Sequence, residues 1–141
     1  MRRRWITLAL IAAIAASLLP ILFGTGGPAV AAANPAPTAG EKIYNANCST
    51  CHNVNGTGTA GVFPPLAENP MVTGSPDKVI AAVKNGLSGP ITVNAKAYNF
   101  SMPAWKGKLS NAEIADVITY VRSSWGNKGS AVTEAQVAGS K

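Results

Sequence analysis

The chain has 141 residues, of which 47% are hydrophobic and 13% charged, with a formal net charge of +6. This length allows a single domain behind a leader segment. Three of the 12 basic residues are Arg2, Arg3 and Arg4, so the remainder carries nine basic and six acidic residues. Without a basic run or interleaved basic and aromatic residues, this composition argues against nucleic-acid binding.

Residues 1–33 predict an export signal or a membrane anchor. The three arginines precede an apolar run from Trp5 to Phe23, and the alanine-rich residues 29–33 follow it. As a helix, the apolar run (5–23) would be about 28 Å long, just enough to span a bilayer and remain as an anchor. Two Ala-x-Ala cleavage sites favour removal instead, and we expect cleavage. Either fate predicts an exported domain, in the periplasm or at the outer face of the cytoplasmic membrane.

Residues 34–37, Asn-Pro-Ala-Pro, predict a short extended linker between the leader and the folded domain. Thr38 and Glu41 have the spacing of a capping box, which predicts a first helix from about Ala39 to Asn47. This helix leads directly into the next motif.

The segment 48–52, Cys-Ser-Thr-Cys-His, contains both cysteines and the only histidine of the chain. On a helical turn, thiols three residues apart lie on one side, about 5–6 Å apart at Cβ. This spacing suits two thioether bonds to a porphyrin. The motif predicts covalent attachment of c-type haem through Cys48 and Cys51, with His52 as the proximal iron ligand.

Three other interpretations of this motif remain open. A thioredoxin-like redox pair would normally open a helix after a strand, whereas the residues before Cys48 predict a helix. A structural zinc site needs four ligands, and oxygen ligands would have to replace the missing Cys and His. A plain disulfide suits an exported protein but gives His52 no role. We prefer haem attachment to all three.

A glycine-rich loop follows His52, and the rigid sequence Phe63-Pro64-Pro65-Leu66 ends it. A haem-binding histidine usually donates its second ring N–H to a main-chain carbonyl. The carbonyl of Pro64 can accept this bond. Alternatively, the two prolines only stiffen a turn.

Ser75-Pro76-Asp77 predicts the start of another helix, and Gly86 predicts its end. The alternation between Gly89 and Tyr98 is short and surrounds an Asn-Ala-Lys turn. We expect a small, irregular hairpin or an extended loop there.

Met102 is the candidate for the second iron ligand. A thioether is a soft, neutral ligand, and Pro103 helps to immobilise the loop that would present it. Met71 is the competitor, although a single methionine is usually core filler. Three lysines lie near Met102 in the sequence and form either a solvated surface or a docking rim for an acidic partner: Lys96, Lys106 and Lys108.

The most secure predicted element is a helix that begins at Ser110, where Ser110 and Glu113 have the spacing of a second capping box. Apolar residues at helical spacing continue to Trp125, and Gly126 ends the helix. This apolar stripe predicts packing against the first helix. Residues 128–141 are small, polar and unperiodic, which predicts a disordered tail.

Between about Thr38 and Asn127 the sequence resembles class I c-type cytochromes. The matching residues lie in both terminal helices and around the two predicted iron ligands: Gly40, Tyr44, Cys48-x-x-Cys51-His52, Pro64-x-Leu66, Met102-Pro103 and the Ser110–Trp125 helix. The resemblance implies an all-α fold of compact helices around one covalent haem c, with Leu66 and Trp105 lining its crevice. It also implies close contact of the terminal helices at Gly40, near Tyr44 and Tyr120. The segment 91–99 departs from the minimal family pattern.

The function that this resemblance implies is single-electron transfer between exported or membrane-bound redox proteins, without enzymatic activity. A haem subunit permanently docked in an oxidase or dehydrogenase is the alternative. A five-coordinate haem sensor or peroxidase is less favoured, because the chain has no second histidine and its six carboxylates form no paired site.

Overall fold

The computed structural model describes residues 37–141. The predicted leader (1–33), the anchor within it (5–23) and most of the linker (34–36) lie outside the described residues. Within 37–141, no helix combines the length and the apolarity that crossing a membrane requires.

The described chain is helical, with one two-stranded antiparallel sheet. The predicted fold of helices with a small hairpin before the methionine loop is therefore observed. The elements in chain order are α1 (Ala39–Asn47), α2 (Ser49–His52), α3 (Pro70–Thr73), α4 (Pro76–Asn85), β1 (Ile91–Val93), β2 (Lys96–Tyr98), α5 (Asn111–Ser123) and α6 (Glu134–Gly139).

The helix starts follow the capping signals. The side chain of Thr38 accepts a hydrogen bond from the Glu41 amide at the start of α1. Ser110 and Glu113 form a complete, reciprocal capping box at the start of α5. At α4, by contrast, Ser75 makes no capping hydrogen bond, and Pro76 provides the start because its fixed φ suits the first helical position.

The hairpin pairs Ile91 with Tyr98 and Val93 with Lys96. Asn94 and Ala95 turn the chain with φ values of 49° and 61°. Positive φ at both central positions is typical of the tight turns that join such strands.

Helices α1 and α5 cross at Gly40. A Cβ atom at Gly40 would lie 2.8 Å from Cβ of Tyr120 and would also overlap the Asp116 carbonyl, so only glycine allows this approach. Tyr44 lies below the crossing, with its ring 5.6 Å from that of Tyr120 and 4.9 Å from that of Trp125. The predicted packing of the terminal helices is thus observed. Helix α5 ends at Ser123, because the chain is extended at Ser124 and turns at Trp125 with φ 51°.

The prediction of a disordered tail over 128–141 is wrong. The segment contains α6, which begins with a capping box between Thr133 and Gln136. Val132 and Val137 are buried in the main core. The composition was misleading because only these two apolar side chains are needed to attach the segment, while buried polar groups elsewhere in the chain hold its backbone.

Candidate haem site

The two cysteines lie on consecutive turns at the junction of α1 and α2. The amides of Cys51 and His52 both donate to the Cys48 carbonyl, at 3.2 and 3.0 Å, so this segment turns as a helix and places both thiols on one side. Both thiols are free. Burial, followed by the proximity of Cys51, raises the pKa of the Cys48 thiol to about 11. A thioredoxin-like pair relies on a thiol with a lowered pKa, so this environment disfavours the redox-pair alternative.

His52 is buried, with 8% of its surface exposed. Its Nδ1 lies 3.0 Å from the Pro64 carbonyl oxygen, and this contact requires Nδ1 to carry the proton. Burial lowers the pKa of His52, although the bond to Pro64 acts in the opposite direction. The ring is therefore neutral, with a lone pair on Nε2, which is the form that binds a metal ion.

Short-range hydrogen bonds build the wall around His52, which we call the His-side wall (44–66). The Gly58 amide donates to the His52 carbonyl at 3.0 Å, and the Leu66 amide donates to the Gly56 carbonyl at 2.7 Å. Burial raises the pKa of Tyr44, which stays protonated and donates to the Asn53 carbonyl at 2.6 Å. These bonds fix the loop that carries Pro64.

The opposite wall, which we call the Met-side wall (83–87 and 102–106), is built by pairing two distant segments. Leu87 and Met102 exchange two main-chain hydrogen bonds, of 3.0 and 2.8 Å. The Trp105 amide donates to the Val83 carbonyl at 3.0 Å. A Cβ atom at Gly86 would overlap the Met102 carbonyl, so glycine permits this close pairing. Met102 is thus presented from a fixed backbone.

A largely apolar crevice lies between the two walls. It consists of two adjoining cavities with empty volumes of about 760 and 620 Å³, which share His52, Pro64, Leu87 and Met102 among their linings. Every residue predicted for the site lines this crevice: Cys48, Cys51, His52, Pro64, Leu66, Met102 and Trp105.

The residues of the crevice fit a haem group. Its largely apolar lining suits a porphyrin. Among the lining side chains are two thiols, one imidazole and two thioethers, which are the kinds of group that attach and ligate haem c. In the described part of the chain, no three His, Cys, Asp or Glu residues lie close enough together to bind a metal ion. A closed zinc site at Cys48 and Cys51 therefore lacks the ligands it needs.

Both candidate methionines line the crevice, but they differ in the cavities that they contact. Met71 contacts only one of the cavities, whereas Met102 contacts both, as His52 does. The sequence spacing indicated the competition between the two methionines but not this difference.

Comparison with known proteins decides the family. A family model described as cytochrome c matches residues 37–125. The chain belongs to the cytochrome c family. It is 38% identical over 106 residues to cytochrome c-552 of Thermus thermophilus, covering 72% of this chain and 67% of that protein. It is 36% identical over 83 residues to cytochrome c6 of Leptolyngbya boryana, covering 59% of this chain and 86% of that protein.

A larger relative is the cytochrome c subunit of an alcohol dehydrogenase (quinone) from Gluconobacter oxydans. The identity is 42% over 90 residues, which is 63% of this chain. The aligned region covers only 19% of that subunit. The chain therefore spans about a fifth of the length of this relative. Membership of the family and the two cysteines at 48 and 51 support one covalently bound haem c.

Two buried cations were missed by the sequence analysis. Lys84 and Arg122 are 5% and 2% exposed. Each lies four residues after a buried isoleucine, Ile80 and Ile118, so helical spacing places both on the apolar faces of their helices. This pattern could have identified them.

Proposed function

We propose that this cytochrome c transfers single electrons between exported or membrane-bound redox proteins and is not itself an enzyme. In this proposal, Cys48 and Cys51 would hold the haem by thioether bonds, and His52 and Met102 would be the protein ligands of its iron. One observation carries the assignment. The His52 ring is fixed through Nδ1 to Pro64, inside an apolar crevice that Met102 lines together with it.

Haem c, when bound, supplies an iron centre that accepts and releases one electron. The Pro64 carbonyl holds the Nδ1 proton of His52, which keeps the Nε2 lone pair available and fixes the orientation of the ring. Leu66 and Trp105 exclude water from the crevice. A dry, rigid surrounding reduces the rearrangement that accompanies a change of charge.

Met102 supplies a neutral thioether, and His/Met ligation raises the reduction potential. The main-chain N–H and C=O of Met102 are both hydrogen-bonded to Leu87, which fixes its backbone. If His52 and Met102 both bind the iron, the protein leaves it no free position for a substrate. This arrangement supports electron transfer over ligand sensing or peroxidase chemistry.

Electrons would enter and leave at the mouth of the crevice. Phe63 and Phe100 meet there edge to face, with ring centroids 5.4 Å apart, and Phe100 is 57% exposed. Three exposed lysines lie near Met102 in the sequence: Lys96, Lys106 and Lys108. An exposed apolar edge, together with these positive charges, supports a transient, salt-sensitive complex with an acidic redox partner.

A permanently docked haem subunit is the second candidate. Similarity to the cytochrome c subunit of an alcohol dehydrogenase (quinone) supports it. Retention of the apolar leader as an anchor would favour this role, whereas cleavage would favour a diffusing shuttle in the periplasm.

The test is an optical spectrum of the holoprotein and of two matched variants. Ferric haem ligated by methionine shows a weak charge-transfer band in the far red. We expect this band in the wild type and in Met71→Ala, and its loss in Met102→Ala. Loss of the band in Met71→Ala alone would transfer the ligand role to Met71. A wild type that lacks the band and binds CO readily would refute the proposed electron carrier with two protein ligands.

A further inference from the structure

The segment 128–141, which we call the C-terminal strap, lies beyond the part of the chain that matches the family model. Buried and half-buried polar groups nevertheless bind its backbone along its length. Arg122 donates to the Ser130 carbonyl at 2.7 Å, and Thr119 accepts a 2.9 Å hydrogen bond from the Val132 amide. The start and the middle of the strap are therefore attached to α5.

The far end of the strap is bound by Lys84. The Lys84 ammonium donates to the Val137 carbonyl at 2.8 Å and to the Ser140 carbonyl. Both acceptors lie at the C-terminal end of α6, where helix carbonyls have no partner within the helix. A lysine bound to such carbonyls satisfies them and interacts favourably with the negative end of the helix.

The backbone of the same lysine belongs to the Met-side wall. The Lys84 carbonyl accepts from the Lys106 amide at 3.1 Å, next to the bond from Trp105 to Val83. Two residues after α4, Leu87 pairs with Met102. The last turn of α4 therefore makes two kinds of contact. The side chain of Lys84 binds the strap, and the carbonyls of Val83 and Lys84 bind the Met102 loop.

We infer that Lys84 is a positioning residue, which fastens the strap to the last turn of α4 and so fixes the loop that presents Met102. The inference rests on the proposed ligation by Met102. The end of a helix frays readily, because its last carbonyls lack helical partners. At α4, those carbonyls bind the Met102 loop, so fraying would release the loop. The hydrogen bonds from the Lys84 ammonium to the strap oppose this fraying.

The first experiment compares Lys84→Met with Lys78→Met in full-length ferric holoprotein. Lys78 lies on the same helix but is exposed, so its variant controls for the loss of one positive charge from α4. The probe is imidazole, which competes with a weakly held methionine for the iron. We expect the apparent imidazole affinity of Lys84→Met to rise about tenfold, because the open loop becomes about tenfold more populated. Lys78→Met should match the wild type.

A second pair of variants approaches the same contact from the strap and is independent of whether Lys84→Met folds. Ala138→Pro breaks α6 at an exposed position, because proline inside a helix removes a hydrogen bond and clashes with the preceding turn. Glu134→Pro places the same residue at the first position of α6, where proline is tolerated. We expect a higher imidazole affinity for Ala138→Pro only.

Four outcomes are informative about this inference and the proposed function. Raised imidazole affinity in Lys84→Met and Ala138→Pro, with both controls unchanged, supports it. Wild-type affinity in both variants, in a protein that shows the methionine band, overturns the inference and leaves the proposed function intact. If Met102→Ala binds imidazole no more tightly than the wild type and the wild type lacks the band, both are overturned. Lower thermal stability without a change in imidazole affinity would reduce Lys84 to a structural role.

Discussion

The His-side wall and the Met-side wall enclose the same crevice, but the hydrogen bonds that build them join residues at different separations in the sequence. On the His side, Tyr44 binds a carbonyl nine residues away and His52 contacts one twelve residues away. On the Met side, Met102 pairs with Leu87, and Lys84 binds carbonyls 53 and 56 residues away. The contacts of the His side lie within one short stretch of sequence. Those of the Met side form only when α4, the Met102 loop and the strap come together. Local structure of this kind forms at a lower entropic cost than distant pairing.

The largest effect is expected on the His side, where the covalent bonds would form. Cys51→Ala removes one of two thioether positions and should abolish most of the yield of mature holoprotein. The matched control is Thr50→Ala, an exposed residue of the same motif, which should mature normally. Haem-stained gels and the absorbance of purified protein measure the yield. A normal yield for Cys51→Ala would contradict attachment through this cysteine.

Two glycines allow the walls to be loosened separately. A Cβ atom at Gly58 would lie 2.6 Å from the Pro64 carbonyl oxygen, and one at Gly86 would lie 2.9 Å from the Ala104 amide nitrogen. We expect each alanine variant to lower the free energy of unfolding by about 1–3 kcal/mol more than its control, because the backbone must move to make room. Chemical denaturation measures this loss.

The controls are Gly61→Ala for Gly58 and Gly89→Ala for Gly86. All four glycines have positive φ, but a Cβ atom at Gly61 or Gly89 would meet no atom within 4 Å. The controls therefore share the backbone strain without the overlap. If the walls are independent, Gly86→Ala raises the imidazole affinity, whereas Gly58→Ala shifts the reduction potential through His52. Equal changes in imidazole affinity in both variants would show that the walls move as one unit.

This contrast also explains how far the sequence could predict the structure. Capping residues and glycines mark α1 and α5 locally, and the spacing of the cysteines, His52 and Pro64 predicts the His-side geometry. Met102 could be proposed from its proline and the resemblance to class I cytochromes. Its pairing with Leu87 could not, because two main-chain segments fifteen residues apart leave no side-chain signal.

The strap escaped prediction for the same reason. Its composition is polar, and beside the burial of Val132 and Val137 it is held by contacts with Arg122 and Lys84, which precede it in the chain. A cation on the apolar face of a helix is a usable signal, because it must find polar partners when it is buried. In this protein those partners are carbonyls of the strap.

The smallest expected effect is that of the exposed lysines on the rate of electron transfer, and it tests whether the Met side carries the docking surface. Replacing Lys96, Lys106 and Lys108 with glutamine removes positive charge near the Met-side wall without removing a buried contact, since all three side chains are exposed. Oxidation of the ferrous protein by anionic ferricyanide at low ionic strength should slow by about threefold or more, because attraction to the crevice mouth weakens.

The matched control replaces three exposed lysines elsewhere, Lys42, Lys78 and Lys128, and has the same net charge. The difference between the two triple variants should vanish at high salt, where the charges are screened. Stopped-flow absorbance measures both rates, and equal slowing in the two variants would show that net charge, not the position of the lysines, governs the encounter.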